Sequence, residues 1–201
     1  MSKTYAINEI FYSLQGEGFY TGTPAVFVRF AGCNLRCPFC DTDFSKAIQM
    51  SATAIVDKCL ELIPRFIARP IVVLTGGEPT LQADAPLLAA IHEQFPTITM
   101  ETNGSRQIPD GVDFVTCSPK CDFVGDYDCI KCAGEVKVVF DCKNDPARWE
   151  KRIKAEHYYI QPCDTGDAAK NEIIKAEAVR WCLEHPRWRL SLQTQKILNV
   201  R

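Results

Sequence analysis

The chain has 201 residues, 46% hydrophobic and 24% charged, and its 23 Lys and Arg against 25 Asp and Glu leave a formal net charge of −2. That composition excludes a disordered tail, a collagen and a coiled coil, and at roughly 150 residues per domain the length leads us to expect one domain over residues 1–201. No positive excess is available for a nucleic-acid backbone, no apolar run reaches the ~18 residues of a membrane span, and no signal-peptide stretch opens the chain. A cytoplasmic protein with neither nucleic acid nor membrane as partner is expected.

Residues 24–30 alternate Val26, Val28 and Phe30 against Phe27 and Arg29, and so read as a mostly buried strand. It runs straight into Gly32-Cys33-Asn34-Leu35-Arg36-Cys37-Pro38-Phe39-Cys40-Asp41-Thr42, where Gly, Asn and Pro oppose regular structure and let the chain curl round a small object. Ser51 caps a helix to about residue 66, with Ile55, Cys59, Leu62 and Ile63 on one face. Residues 71–74 are a continuous apolar run, the mark of a strand covered on both faces, and end at Thr75-Gly76-Gly77-Glu78-Pro79. A helix over 84–95 carries Leu87, Leu88, Ile91 and Phe95 at helical spacing, and a strand over 97–100 runs into Glu101-Thr102-Asn103-Gly104. Further strands are predicted at 114–116 before Ser118-Pro119-Lys120, at 135–140, at 157–160 before Gln161-Pro162-Cys163-Asp164, and at 188–192. Helices fit 146–155 and 168–184.

Strands alternating with helices imply crossover units and a parallel sheet of about six or seven strands. No helix is legible between Asn103 and Phe114 or around residues 121–134, which argues against an eightfold closed barrel. The expected fold class is α/β, a partial, open parallel β/α barrel with its chemistry just beyond the strands.

Eleven cysteines is a high and odd count, which points to thiolate ligation or buried packing rather than a disulfide framework. Cys59, Cys142 and Cys182 stand alone in patterned segments and read as small core hydrophobes. Cys33, Cys37 and Cys40 share one short loop, and three such thiolates can hold zinc or an iron–sulfur cluster. Zinc wants a fourth ligand, for which Cys129 and Cys132 form a second pair. A cubane held by three cysteines leaves one iron open to a small molecule.

The CxxxCxxC spacing of Cys33, Cys37 and Cys40, with Phe39 before the last cysteine, resembles the signature of the radical S-adenosylmethionine (SAM) superfamily. Gly76-Gly77-Glu78-Pro79 resembles the turn whose backbone meets the SAM amino group in that superfamily. The resemblance implies a [4Fe–4S] cluster whose open iron is chelated by SAM, and reductive cleavage of SAM to methionine and a 5′-deoxyadenosyl radical. From end to end the chain is also similar to the 7-carboxy-7-deazaguanine synthase family of queuosine and deazapurine biosynthesis. Four stretches carry that likeness: residues 7–18, the loop ending Cys40-Asp41-Thr42, the Thr75 to Pro79 turn, and residues 189–199. The family often has Gln-Thr-His-Lys-Tyr-Leu in its tail where this chain has Gln195 and Ile197, so proton transfer by that His is not available here.

The implied reaction converts 6-carboxy-5,6,7,8-tetrahydropterin to 7-carboxy-7-deazaguanine with loss of ammonia, aided by Mg2+. By that resemblance Leu14, Gln15 and Gly16 edge the pterin, Arg29 and Thr75 grip it, the C-terminal Arg201 reaches its pocket, and Thr42 is the magnesium ligand, with Asp41 as a possible helper. Gly77, Ser118, Pro119, Lys120, Gln161, Pro162 and Asp164 hold SAM, with Cys163 packed beside it, Phe39 alongside the cluster, and Glu101 and Asn103 toward the ribose. No residue is assigned as a catalytic acid or base. A flavodoxin or ferredoxin electron donor and a homodimer are further expectations of the resemblance. Plainer readings stand beside these: a strand-end salt bridge for Arg29, core packing for Leu14, turn geometry for Gly16 and Gly18, a capping role for Thr42 or Glu101, a solvated charge for Lys120. Cys117, Cys121, Cys129 and Cys132 could form an auxiliary cluster, which the resemblance does not include. The competing functions are a glycyl-radical-enzyme activase and a non-catalytic zinc module.

Overall fold

In the computed structural model, residues 3–43, 45–65, 68–120 and 129–201 are described, and among them nine strands join one sheet. In chain order the elements are β1 (Thr4–Leu14), β2 (Pro24–Phe30), β3 (Ile48–Ser51), α1 (Ala52–Leu62), β4 (Ile71–Gly76), α2 (Ala85–His92), β5 (Ile98–Thr102) and β6 (Phe114–Cys117). They continue with β7 (Cys132–Phe140), β8 (Lys154–Pro162), α3 (Ala168–Glu184), β9 (Trp188–Leu190) and α4 (Thr194–Leu198). The spatial order is β3-β1-β2-β4-β5-β6-β7-β8-β9, and β3 and β9 are free edges of an unclosed barrel. Every pairing from β2 to β9 is parallel, while β1 runs antiparallel to both β2 and β3.

The predicted strands are the parallel ones; β1 and β3 escape a reading by periodicity, and β1 has an identifiable reason. A β-bulge between Ile7 and Glu9 switches its side-chain parity. Before the bulge Tyr5 and Ile7 face the helices, and after it Ile10 and Tyr12 do, which turns Phe11 to the opposite face beside Phe27. No single alternation therefore runs through the segment.

The helices cover the outer face. Val26, Val28, Phe30, Val72, Leu74, Ile98 and Met100 pack with Ile55 and Cys59 of α1 and Leu87, Leu88 and Ile91 of α2 in one cluster. A second cluster sets Val136, Val138, Tyr158 and Ile160 against Ile174 and Ala178 of α3, with Trp149 and Trp188. Polar side chains cap the helix N-termini, close to where the sequence predicts the helices to start: Ser51 accepts from the Ala54 amide at 3.1 Å, Asp84 from Leu87 at 3.2 Å and Asp167 from Ala169 at 3.0 Å. Because the outer residues of the parallel strands are apolar, their alternates, Arg29, Thr75, Glu101, Lys137 and Gln161, project to the inner face.

Several expectations need correction. The helix expected over 146–155 is a 3-10 turn at Pro146–Lys151, because β8 already starts at Lys154, paired with Cys132 of β7. Trp149 and Ile153 are both buried in that short span, which leaves no length for an α-helix. Cys142 is no core residue: it is exposed and has a φ of 68°, in the turn after β7. Cys59 is buried as expected, and Cys182 packs at the margin of the second cluster. β5 and β6 extend through Thr102 and Cys117, and β9 stops at Leu190. Cys121 lies outside the described residues, and the first helix, expected to about residue 66, ends at Leu62 because Ile63 is already extended with a φ of −93° and a ψ of 141°. No helix among the described residues is long and apolar enough to cross a membrane.

Candidate active site

The C-terminal ends of the parallel strands open into a cavity of about 880 Å³. Every residue nominated for the cluster, SAM, magnesium or the pterin lines it except Pro119, and the cysteine loop, the inner face of the sheet and the C-terminal tail contribute separate walls; Cys117, Cys129 and Cys132 do not line it.

The cysteine loop is fastened to its neighbours by backbone contacts. Gly77 donates to the Phe30 carbonyl and Glu78 to that of Gly32, both at 2.9 Å. A Cβ on residue 77 would fall on the Gly32 carbonyl oxygen, and Gly76 adopts a φ of 117°, so both glycines are required for this turn to meet the loop. Glu78, fully buried, accepts from the Thr102 hydroxyl and the Asn103 amide, each at 2.7 Å, and so ties the turn to the end of β5. Asn103 then reaches across to Asn34 at 3.0 Å. Cys33 Sγ accepts from the Leu35 amide at 3.4 Å, an N–H to sulfur contact. Burial raises the thiol pKa of both Cys33 and Cys37, with Lys120 pulling Cys37 the other way.

The inner face carries a polar network. Glu101 accepts from Thr75 Oγ1 at 2.8 Å and from Gln15 Nε2 at 3.0 Å, which rules out a mere capping role. Arg29 donates to Glu9 at 2.9 Å, so the strand salt bridge is real, and also to the Thr42 hydroxyl at 3.3 Å, inside the cavity. Lys120 is no solvated surface charge: burial lowers its pKa, as does the charge of Lys137, and its ammonium donates to Ser118 at 2.5 Å.

Sequence reading missed Glu17, Glu135 and Lys137. Lys137 is 5% exposed and donates to Glu17 at 2.5 Å, with Glu101 at 3.8 Å. Burial pushes Glu17 up, yet the adjacent ammonium outweighs it and holds the carboxyl below its usual range. Burial raises the Glu135 carboxyl, and Glu135 pins the loop after β1 through the Phe19 amide at 2.7 Å. The available signal was Glu135-Val136-Lys137 inside an apolar strand, since a charge there needs a buried partner.

The tail closes the network. Gln193 and Gln195 donate to Glu17 at 3.1 and 3.0 Å, and Thr194 donates to the Gly16 carbonyl. A Cβ at residue 16 would land on Gln195, whose Oε1 is buried with no hydrogen-bond partner among the described residues. Lys196 joins Asp164 at 2.8 Å to Asp41 at 3.4 Å.

A model of the radical SAM superfamily matches residues 27–115. The 7-carboxy-7-deazaguanine synthase of Bacteroides thetaiotaomicron is 44% identical over 195 residues, covering 97% of this chain and 98% of that one. The chain belongs to the 7-carboxy-7-deazaguanine synthase family. The synthase of Burkholderia multivorans is 40% identical over 214 residues, covering 98% of this chain and 99% of its own. The crystal structure of QueE from Escherichia coli superposes with a TM-score of 0.75 at 26% identity, over 94% of each chain.

Radical SAM membership brings a [4Fe–4S] cluster and SAM, and the donor set fits them. Among the described residues no group of three or more His, Cys, Asp or Glu is placed to hold a single metal ion. Cys33, Cys37 and Cys40 line the cavity together, three thiol donors from one short loop, the set that leaves one iron of a cubane open. In this synthase-family chain Cys117 is buried in the second cluster, its thiol pushed up by burial to about 12, the behaviour of packing rather than ligation.

Proposed function

We propose that this chain converts 6-carboxy-5,6,7,8-tetrahydropterin to 7-carboxy-7-deazaguanine with release of ammonia, a step of queuosine and deazapurine biosynthesis, as a single domain. The observation that carries the proposal is one cavity lined jointly by the three-cysteine loop, a polar sheet interior and the C-terminal tail, in a chain matched along its length by synthases of that name. The ring contraction is balanced: substrate and product differ by one ammonia, with no net oxidation. When bound, the cluster and SAM supply a radical able to take a hydrogen atom from the pterin and return it.

The protein's own part is binding, orientation and exclusion of water. Cys33, Cys37 and Cys40 hold the cluster, with Phe39 alongside. The Gly77 turn, Glu101, Asn103, Ser118, Lys120 and the Gln161 to Asp164 turn surround SAM. Pro119 contributes only by shaping the turn between Ser118 and Lys120. Leu14, Gln15, Gly16, Arg29, Thr75 and Arg201 hold the pterin. The Lys137–Glu17 pair fixes the loop from which Gln15 reaches Glu101, so the donors are in position before substrate arrives. Thr42 offers one hard oxygen to Mg2+, which takes the rest from substrate and water. Asp41 is committed to Gln193 and Lys196, which favours a structural role over magnesium ligation. An external flavodoxin or ferredoxin supplies the priming electron, and the active form is a homodimer.

An activase of a protein partner would have no use for a tail folded into the cavity, whereas Gln193, Gln195, Lys196 and Arg201 all line it. The test is anaerobic turnover of the tetrahydropterin acid with SAM, Mg2+ and a reductant, followed by mass spectrometry. The expected outcome is 7-carboxy-7-deazaguanine with ammonia in equal amount; unchanged pterin refutes the assignment.

A further inference from the structure

At one rim of the cavity two guanidinium groups share one carboxylate. Arg29 Nε donates to Glu9 Oε1 at 2.9 Å, and Arg201 ion-pairs with Glu9 Oε2. Both guanidiniums also lie over one ring: Arg201 is 5.1 Å and Arg29 5.7 Å from the centroid of Phe11, which stacks on Phe27 at 4.8 Å. Four of these residues are placed by strand register, since Glu9 pairs with Arg29 and Phe11 with Phe27 across β1 and β2. Arg201 arrives from the opposite end of the sequence. Phe11, Phe27, Arg29 and Arg201 line the cavity, and Glu9 does not.

Among these side chains two cations face one anion, Glu9, beside a flat aromatic wall. A guanidinium has five donors, enough to serve two carboxylates at once. The Arg201 side chain is 68% exposed, so it can turn toward a ligand without disturbing packing.

We infer that the Arg201 guanidinium is a second cationic clamp on the carboxylate of the substrate, and that Glu9 is an internal anion that holds both guanidiniums ready and yields part of their bonding when that carboxylate binds. This rests on the pterin-acid reading and adds a specificity determinant to it: the side chain of the last residue, as distinct from its terminal carboxylate. A neutral ring of the same shape stacks on the same wall but gains nothing from Arg201.

The test uses holoenzyme with SAM and two fluorescent probes, 6-carboxypterin and pterin without the carboxylate. Neither carries the hydrogen at a saturated C6 that the reaction removes, so equilibrium binding is read without turnover. Arg201→Gln is expected to weaken 6-carboxypterin about tenfold and to leave pterin within about twofold, with Arg201→Lys recovering part of the loss. Glu9→Gln, which keeps an acceptor and removes the competing charge, is expected to tighten 6-carboxypterin about threefold. Equal weakening of both probes by Arg201→Gln, weakening of neither, or loss of 6-carboxypterin affinity in Glu9→Gln overturns the inference. If wild type prefers 6-carboxypterin and Arg201→Gln keeps that preference, only the inference falls. If wild type does not distinguish the probes, the pterin-acid reading falls and the inference with it.

Discussion

Replacing Lys137 by Met removes the ammonium that donates to Glu17 and lies 3.8 Å from Glu101 in the cavity. Met fills a similar volume, so the principal loss is charge. Breaking a buried ion pair from one side costs about 3–5 kcal/mol, because the remaining carboxylate is buried without compensation. For a chain of this size about 1 kcal/mol moves a thermal midpoint by about 2–4 °C, so a drop of about 6–20 °C is expected. The pH dependence has a definite sign. In the native protein Glu17 is held below the usual carboxylate range, so its stabilisation is present above the unfolded value of about 4.3 and is lost as pH falls through the folded one. Without Lys137, burial, the largest influence on both Glu17 and Glu135, is opposed only by weaker hydrogen bonds, so both carboxyls rise. A carboxyl with a raised folded pKa destabilises above its unfolded value, so the deficit of Lys137→Met should be small near pH 5 and grow toward pH 7.5. Scanning calorimetry of wild type and variant at both pH values measures this, and adding Glu17→Gln should restore part of the loss. A drop below about 2 °C, or a deficit equal at the two pH values, refutes the electrostatic account of this network.

Three other outcomes are expected. Gly77→Ala forces a methyl onto the Gly32 carbonyl and should weaken SAM binding at least about tenfold by equilibrium dialysis, whereas an unchanged affinity would mean that the turn can move freely. Glu78→Gln replaces a carboxylate that accepts from Thr80, Thr102 and Asn103 with a group having one acceptor oxygen, and should cost about 2 kcal/mol in denaturant unfolding. Cys37→Ser should abolish the brown colour and lower the iron content of anaerobically purified protein, while Cys59→Ala, at a fully buried position of α1, should keep its iron and lose only about 1 kcal/mol of stability.

What the sequence alone determined is whatever is written in short segments. The three cysteines lie on one loop, the Gly76-Gly77-Glu78-Pro79 turn follows an apolar run, and the parallel strands announce themselves by short apolar segments that end in polar turns. Arg29, Thr75, Glu101 and Gln161 were likewise legible as polar residues at strand ends, where this class of fold keeps its chemistry. The tertiary structure alone decided which of these groups meet. Lys137 and Glu17 are 120 positions apart and Arg201 and Glu9 192 apart, and neither pair has a local signal. Their contact depends on the order of strands in the sheet, on the bulge that switches the parity of β1, and on a tail that folds back to the start of the chain. Local propensity acts over a few residues, whereas a charge pair forms only after the intervening chain has been closed by burial of the core, so its partners are readable only from the assembled fold.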